Sequence, residues 1–227
     1  MDSSGQFLTA ADLHREFRTA EGVLPVLKGI NLRVRRNEML AVTGASGVGK
    51  STLLHILGGL DRPTSGEVTL DEVAISHLSE QELAKLRNQK VGFVFQSHYL
   101  LDDFSAIENT MIPMLLAGRS HADARRRAEL LLADVGLTDR QSHRPKQLSG
   151  GEQQRVAVAR ALANEPGIVL ADEPSGNLDT ATGRMLHELL FRLNKQNGTT
   201  FVIATHNREL AERCDREIRM ADGCIVS

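Results

Sequence analysis

Eight residues constrain this chain more than any others: Gly44-Ala45-Ser46-Gly47-Val48-Gly49-Lys50-Ser51. They read as G-x-x-x-x-G-K-[ST], a loop whose backbone N–H groups wrap the phosphates of a nucleotide. With glycine at about 7% of residues, a chance match is on the order of 1% per chain of this length. The flanks supply what the loop chemistry needs. Met39-Leu40-Ala41-Val42 is a short apolar run ending at the loop, and Ser51-Thr52-Leu53-Leu54-His55-Ile56-Leu57 has the apolar spacing of a helix. Glycines let the backbone approach phosphate, and the helix start adds partial positive charge. Residues 44–52 are therefore the candidate phosphate site, with Thr52 in the helix's first turn.

Composition narrows the class. A chain of 227 residues can bury a sizeable core as one domain. A net charge of −2 with 25% charged residues argues for no nucleic-acid partner. No apolar run approaches the roughly 18 residues of a membrane span; the best, Met111 to Ala117, is short and contains Pro113. Met1-Asp2-Ser3-Ser4-Gly5 lacks the basic and apolar regions of a signal peptide. Two cysteines, Cys214 and Cys224, make no disulfide framework and suit a reducing compartment. The expectation is a soluble, cytosolic chain that meets a membrane only through a partner.

Periodicity sets the architecture. Ile30, Leu32 and Val34 alternate with Asn31, Arg33 and Arg35, as in a half-buried antiparallel sheet. A turn near Arg36-Asn37-Glu38 leads into the strand before the phosphate loop. Glu67-Val68-Thr69-Leu70 and Val91-Gly92-Phe93-Val94-Phe95 read as strands, and Ser79 with Glu82 forms a capping box. After Gln96 the pattern turns helical. Ser105 with Glu108 and Ser120 with Asp123 start two helices, Gly118 and Gly136 stop them, and Ser149-Gly150-Gly151 opens a third. Apolar strands then resume at 168–171 and 200–204, around a helix that ends at Gly198, and Asp222-Gly223 predicts a closing hairpin. The expected fold is an α/β core with a mostly parallel sheet, an antiparallel β subdomain and an inserted helical subdomain. Its expected boundaries are a core of 1–96 and 165–227 with helices in 97–164.

The chemistry-bearing groups sit at strand ends or helix starts, where an open α/β sheet binds its ligand. Lys50 is placed to reach the β- and γ-phosphates, and the Ser51 hydroxyl to bind Mg²⁺. Asp172, after four apolar residues, fits a carboxylate holding Mg²⁺ at a buried strand's tip. Glu173 is the candidate general base, with Pro174 supplying the break that lets neighbouring carboxylates both be used. The alternative is an acidic pair capping the next helix. Ser149-Gly150-Gly151 makes a second anion site at a helix start. One phosphate cannot fill two such loops in one compact subunit, whereas a head-to-tail dimer solves the geometry.

Taken together these motifs resemble the ABC-type ATPases. Leu148-Ser149-Gly150-Gly151-Glu152-Gln153-Gln154 is similar to that family's signature sequence and lies in the expected order, between the phosphate loop and Ile168–Glu173. Gln96 matches the Q-loop, Ser175-Gly176-Asn177-Leu178-Asp179 the D-loop, and His206 the switch histidine. The resemblance implies ATP as nucleotide, hydrolysed with Mg²⁺ at the interface of two copies. It implies Gln96 on Mg²⁺ or the attacking water, His206 on the γ-phosphate and Asp179 between the two sites. Ser149, Gly150 and Gly151 would bind the partner copy's nucleotide, and Phe17 would stack on adenine. Two positions depart from the common pattern: Glu152 stands where many members have Gln, and Phe17 where Tyr is commoner.

Within that family, residues 59–67, 87–93 and His143-Arg144-Pro145 resemble the ATPase subunits of lipoprotein-releasing transporters (the LolD type), close to MacB-like efflux and FtsE-like division ATPases. Residues 97–104, Ser-His-Tyr-Leu-Leu-Asp-Asp-Phe, also resemble that group, with Asp102 where Pro is usual. The implied role is an ATPase peripheral to the cytoplasmic face of a bacterial inner membrane, with permease subunits docking near Tyr99–Phe104. The alternative is a MacB-like efflux or FtsE-like mechanotransmission ATPase, and after it a soluble ABC ATPase of translation or DNA repair. Such proteins usually carry two cassettes or a long coiled coil, and residues 51–148 hold no sustained heptads.

Overall fold

The computed structural model describes residues 6–20 and 22–227. Met1–Gly5, discussed above for signal-peptide character, lies outside them. In chain order the elements are β1 (Gln6–Thr19), β2 (Gly22–Arg35), β3 (Met39–Thr43), α1 (Lys50–Leu57), β4 (Ser65–Leu70), β5 (Val73–Ala74), α2 (Glu80–Lys90) and β6 (Val91–Val94). They continue with α3 (Ala106–Leu116), α4 (His121–Asp134), α5 (Gly150–Ala161), β7 (Ile168–Asp172), α6 (Thr180–Asn197), β8 (Thr200–Ala204), α7 (Arg208–Glu212), β9 (Arg216–Ala221) and β10 (Cys224–Ile225). The chain divides into two units, Met1–Ala84 with Thr200–Ser227, and Lys85–Thr199.

The first unit holds an antiparallel sheet in the order β2-β1-β4-β5. Ile30, Leu32 and Val34 of β2 are buried and the residues between them exposed, so the alternation is the packing pattern. The unit also contains a mostly parallel layer in the order β10-β9-β3-β8. β3 lies parallel to β8 on one side and to β9 on the other, with Val42 opposite both Ala204 and Ile218. β3 is paired on both edges and buried on both faces, so its side chains do not alternate and Met39 to Val42 are all apolar and buried. Each such side chain contributes about 1.5–3 kcal/mol if large. Asp222 and Gly223 take left-handed φ values of 48° and 81° and turn β9 into β10.

In the second unit β6 and β7 pair in parallel, Val94 opposite Ala171. Gln96 follows two residues after β6, and Asp172 is the last residue of β7. Helices α3, α4 and α5 bury Met111, Met114, Leu131, Leu132 and Val156. α3 opens with a Ser105–Glu108 capping box and α4 with Ser120 accepting from the Asp123 N–H. Pro113 stands inside α3, and its carbonyl accepts from Asn88 Nδ2 at 3.1 Å and Asn164 Nδ2 at 3.0 Å. Sequence periodicity passed over the short α7 and β5, whose five and two residues are too few to show a period. Among the described residues no helix is long and apolar enough to cross a membrane. Burial pushes the Cys214 thiol up to about 12, so it stays protonated and inert.

Candidate active site

In the first unit the phosphate loop leaves the end of β3 and enters α1. Gly44, Gly47 and Gly49 have φ of 145°, 81° and 101°. Two of these glycines are also packed so tightly that no side chain fits. A Cβ on Gly44 would come within 2.4 Å of the Met220 carbonyl, and one on Gly49 within 2.9 Å of Leu27 Cδ2. Gly49 occupies the cap position of α1 without any side-chain cap, and the first turn holds no acidic residue. The helix therefore presents uncapped N–H groups and an uncompensated positive end to an anion. Lys50 is only 8% exposed, and its ammonium donates to the Gly44 and Ala45 carbonyls at 2.9 and 3.0 Å. Two of its three donors are thus used within the loop, leaving the third for a phosphate oxygen. Ser51 is exposed and Thr52 half-buried at the start of the helix.

His206 follows β8, the parallel neighbour of β3, so it emerges at the same strand end as the phosphate loop. The Thr205 N–H bonds to the Val42 carbonyl at 3.0 Å, continuing the pairing up to the histidine. Asn207 then caps α7 through the Leu210 N–H at 2.9 Å. Phe17 pairs with Leu24 across the β1–β2 ladder. That is three residues from Leu27, the side chain packed on Gly49, or about 10 Å along the strand. Its ring is 37% exposed, and the Arg15 guanidinium carbon lies 4.4 Å from its centroid. Arg15 is anchored by Asp61 at 2.9 Å. One face of the ring thus carries the Arg15 guanidinium.

In the second unit the end of β7 carries Asp172, whose Oδ1 is buried with no protein hydrogen-bond partner. An orphaned carboxylate oxygen at a strand tip fits a hard cation or its water shell. Among the described residues no cluster of three or more His, Cys, Asp or Glu could hold a metal. Glu173 has φ 45°, a left-handed conformation that breaks the strand's alternation between the two carboxylates. Gln96 is locked to the loop after β7: its Nε2 donates to Asn177 Oδ1 at 3.0 Å, and Asn177 Nδ2 donates to the Gln96 carbonyl at 3.1 Å.

Ser149 caps α5 in a capping box. Its N–H and hydroxyl donate to Glu152 Oε2 at 2.8 and 2.9 Å, and its oxygen accepts from the Glu152 N–H at 3.3 Å. The Ser149 N–H first, then its hydroxyl and Arg140 at 3.1 Å, hold the Glu152 carboxyl below its usual range. Gly151 is packed against α6, where a Cβ would stand 2.3 Å from Thr182 Cγ2. Thr182 in turn donates to Asp179 at 2.6 Å, and Asp179 caps α6 through the Ala181 and Thr182 N–H groups. The signature stretch and the 175–179 loop thus form one surface, with Ser149 and Gly150 exposed.

A family model described as "ABC transporter" matches residues 27–176. The chain belongs to that family. Its relatives are alike over nearly the whole length. The lipoprotein-releasing system ATP-binding protein LolD of Syntrophus aciditrophicus is 53% identical, covering 90% of this chain and 92% of the relative. That of Geobacter metallireducens is 50% identical, covering 97% and 98%. Among solved structures, the ATP-binding cassette MJ0796 superposes at a TM-score of 0.90 with 39% identity over 97% of each chain. That structure is described as a dimeric post-hydrolysis state bound to ADP and Pi. The ABC cassette fold expected from the motifs is the fold observed.

Several contacts that organise this ABC cassette were invisible to motif reading. Buried His187 bonds Ser175 Oγ at 2.8 Å, and buried Gln154 donates to the Phe95 carbonyl at 2.8 Å. Arg160 and Asn109 hold backbone carbonyls of the segment after Gln96. Their partners are backbone atoms or distant side chains, which no local spacing marks. Gln154 is 59 positions from Phe95.

Proposed function

We propose that this chain is the ATP-hydrolysing subunit of a lipoprotein-releasing transporter and works as half of a head-to-tail pair on the cytoplasmic face of an inner membrane. The observation that carries the client is the likeness over nearly the whole chain to ATPases of lipoprotein-releasing systems. The pair is supported by two separate helix starts, one uncapped behind the phosphate loop and one at the exposed Ser149–Gly150.

In this reading the phosphate loop and Lys50 hold the β- and γ-phosphates, and Phe17 stacks on adenine. Asp172 and Ser51 are the protein's contribution to Mg²⁺, which when bound neutralises developing phosphate charge. Glu173 accepts the proton of the attacking water, and His206 hydrogen-bonds the γ-phosphate and that water. Gln96 reports occupancy outward through the segment it begins. Ser149, Gly150 and Gly151 close on the partner copy's γ-phosphate, and Asp179 lies where the two sites meet. Closure on ATP and reopening after hydrolysis move the membrane subunits that dock at Tyr99–Phe104.

Glu173→Gln is the direct test. Hydrolysis should fall by about a hundredfold or more. ATP binding should survive, and light scattering should show a stable ATP-dependent dimer. Retained hydrolysis would remove Glu173 as the base. The client is tested by reconstituting the chain with its membrane subunits in proteoliposomes and following ATP-dependent release of a labelled lipoprotein.

A further inference from the structure

The segment after β6 is tied down at successive points along one helix. Near the start of α5, Gln154 donates to the Phe95 carbonyl at 2.8 Å. In the last turn Arg160 donates from Nη1 to the Tyr99 carbonyl and from Nη2 to the His98 carbonyl, both at 2.7 Å. These are charge-assisted bonds in a planar fork matched to two neighbouring carbonyls. Between them Tyr99 holds φ 45°, a conformation a bulky residue keeps only where its surroundings impose it. The Tyr99 ring meets Phe95 edge-on at 5.4 Å and is nevertheless 66% exposed. On the other side Asn109 of α3, fully buried, donates to the Leu101 and Phe104 carbonyls at 3.1 and 3.0 Å. The exposed side chains of Tyr99, Leu101 and Phe104 thus ride on a backbone whose carbonyls belong mechanically to α5 and α3.

α5 begins at the Ser149 cap and ends one residue after Arg160. Twelve helical residues span about 18 Å and resist stretching. A push at the Tyr99 end therefore appears at the Ser149 end, provided the segment cannot slide on the helix. One hydrogen bond would allow pivoting; the two-pronged Arg160 contact together with Gln154 does not.

We propose that Arg160 is a positioning residue that joins the partner-docking segment to the signature helix, so that a membrane subunit seated at Tyr99–Phe104 moves Ser149. This rests on the docking reading above. Among the described residues the Arg160 guanidinium bonds the His98 and Tyr99 carbonyls rather than a group assigned to the nucleotide, so its loss should leave the isolated chain's own turnover in place.

The test compares the isolated chain with the complex containing its membrane subunits, for Arg160→Met and Arg160→Lys. Arg160→Met should keep basal ATP turnover within about twofold and lose about tenfold of the turnover stimulated by the membrane subunits, a size typical of coupling residues. Arg160→Lys, keeping the charge but not the fork, should fall between. Amide exchange of residues 97–101 should quicken in both variants while that of β3 and α1 does not. Stimulation unchanged in either variant overturns the proposal, as does an equal loss of basal and stimulated turnover. If Arg160→Met does not fold, Arg160→Lys decides by the same criteria. Tyr99→Ala with Leu100→Ala separates the two readings. Intact capture of the membrane subunits by that double variant refutes docking there. Lost capture alongside full stimulation of Arg160→Lys refutes only the coupling role.

Discussion

Two helices in this protein begin at a glycine-rich stretch, and they begin in opposite ways. α1 starts behind Gly49, with no side-chain cap and no acidic residue in its first turn. α5 starts behind Ser149, closed by a capping box whose carboxylate, Glu152, stands at the helix's positive end. Both ends carry the same backbone dipole. Only the first is left without a carboxylate of its own. The second satisfies the Ser149 and Glu152 N–H groups, and the Ser149 hydroxyl already donates to Glu152. The lesson is that α1 can receive phosphate alone, whereas α5 must first give up an internal contact. That asymmetry suits a site where one copy binds the nucleotide and the other copy closes on it.

Single substitutions should separate the two ends. Lys50→Ala should cause the largest loss, abolishing measurable ATP turnover and weakening nucleotide binding to the isolated chain by tenfold or more, since about 1.4 kcal/mol is a factor of ten. Ser149→Ala should leave that single-chain affinity within about twofold while depressing turnover, because in the proposed pair its phosphate belongs to the other copy. Equal effects on affinity would erase the distinction between the two helices.

Gly151→Ala should come next. The added methyl would meet Thr182 Cγ2, and Thr182 cannot rotate away without losing its bond to Asp179. Overpacking of this kind costs about 1–3 kcal/mol. Urea denaturation would read it, and an unchanged midpoint would show that α5 and α6 are looser than drawn.

Glu152→Gln sharpens the comparison. Glutamine can still complete the cap, but the charge facing an incoming phosphate is gone. In the Glu173→Gln background, sedimentation should show ATP-dependent pairing tightened by about two- to fivefold, the range of a charge–dipole effect. Weaker pairing would mean that Glu152 assists the closed state.

The smallest effect is the pH dependence of the same cap. Glu152's carboxyl is held below its ordinary range in the fold, so its contribution to stability is present above that range. It is lost as pH falls through the lowered value. Thermal stability should therefore be insensitive to this group between pH 6 and 8 and decline only in acid, where Glu152→Ala should flatten part of the decline.

Much of this was legible in the chain. Helix starts at Ser79, Ser105 and Ser149 are local signals, and each appears with its capping hydrogen bonds in place. The hairpin at Asp222-Gly223 and the stop at Gly198 are equally local, since a positive φ is a property of one residue. The phosphate loop and the acidic pair after β7 were readable because glycine, lysine and carboxylate chemistry is confined to a few adjacent positions. Asp179 shows the boundary. Its place in the 175–179 motif could be read, but its carboxylate is occupied in capping α6, which depended on how α6 begins.

The sequence by itself determined the local elements, the uncapped phosphate loop and the order of the motifs, because backbone sterics, capping and periodicity act over a few residues. Only the tertiary structure decided that Gly151 must be glycine against Thr182, that Gln96 is latched to Asn177, and that Arg160 grips the carbonyls of His98 and Tyr99. Those contacts join residues 31, 81 and about 60 positions apart, and no pattern within a helix or strand encodes a partner at that distance. The glycine-rich loop announced a nucleotide, while the contacts that hold the segment after β6 were set by packing.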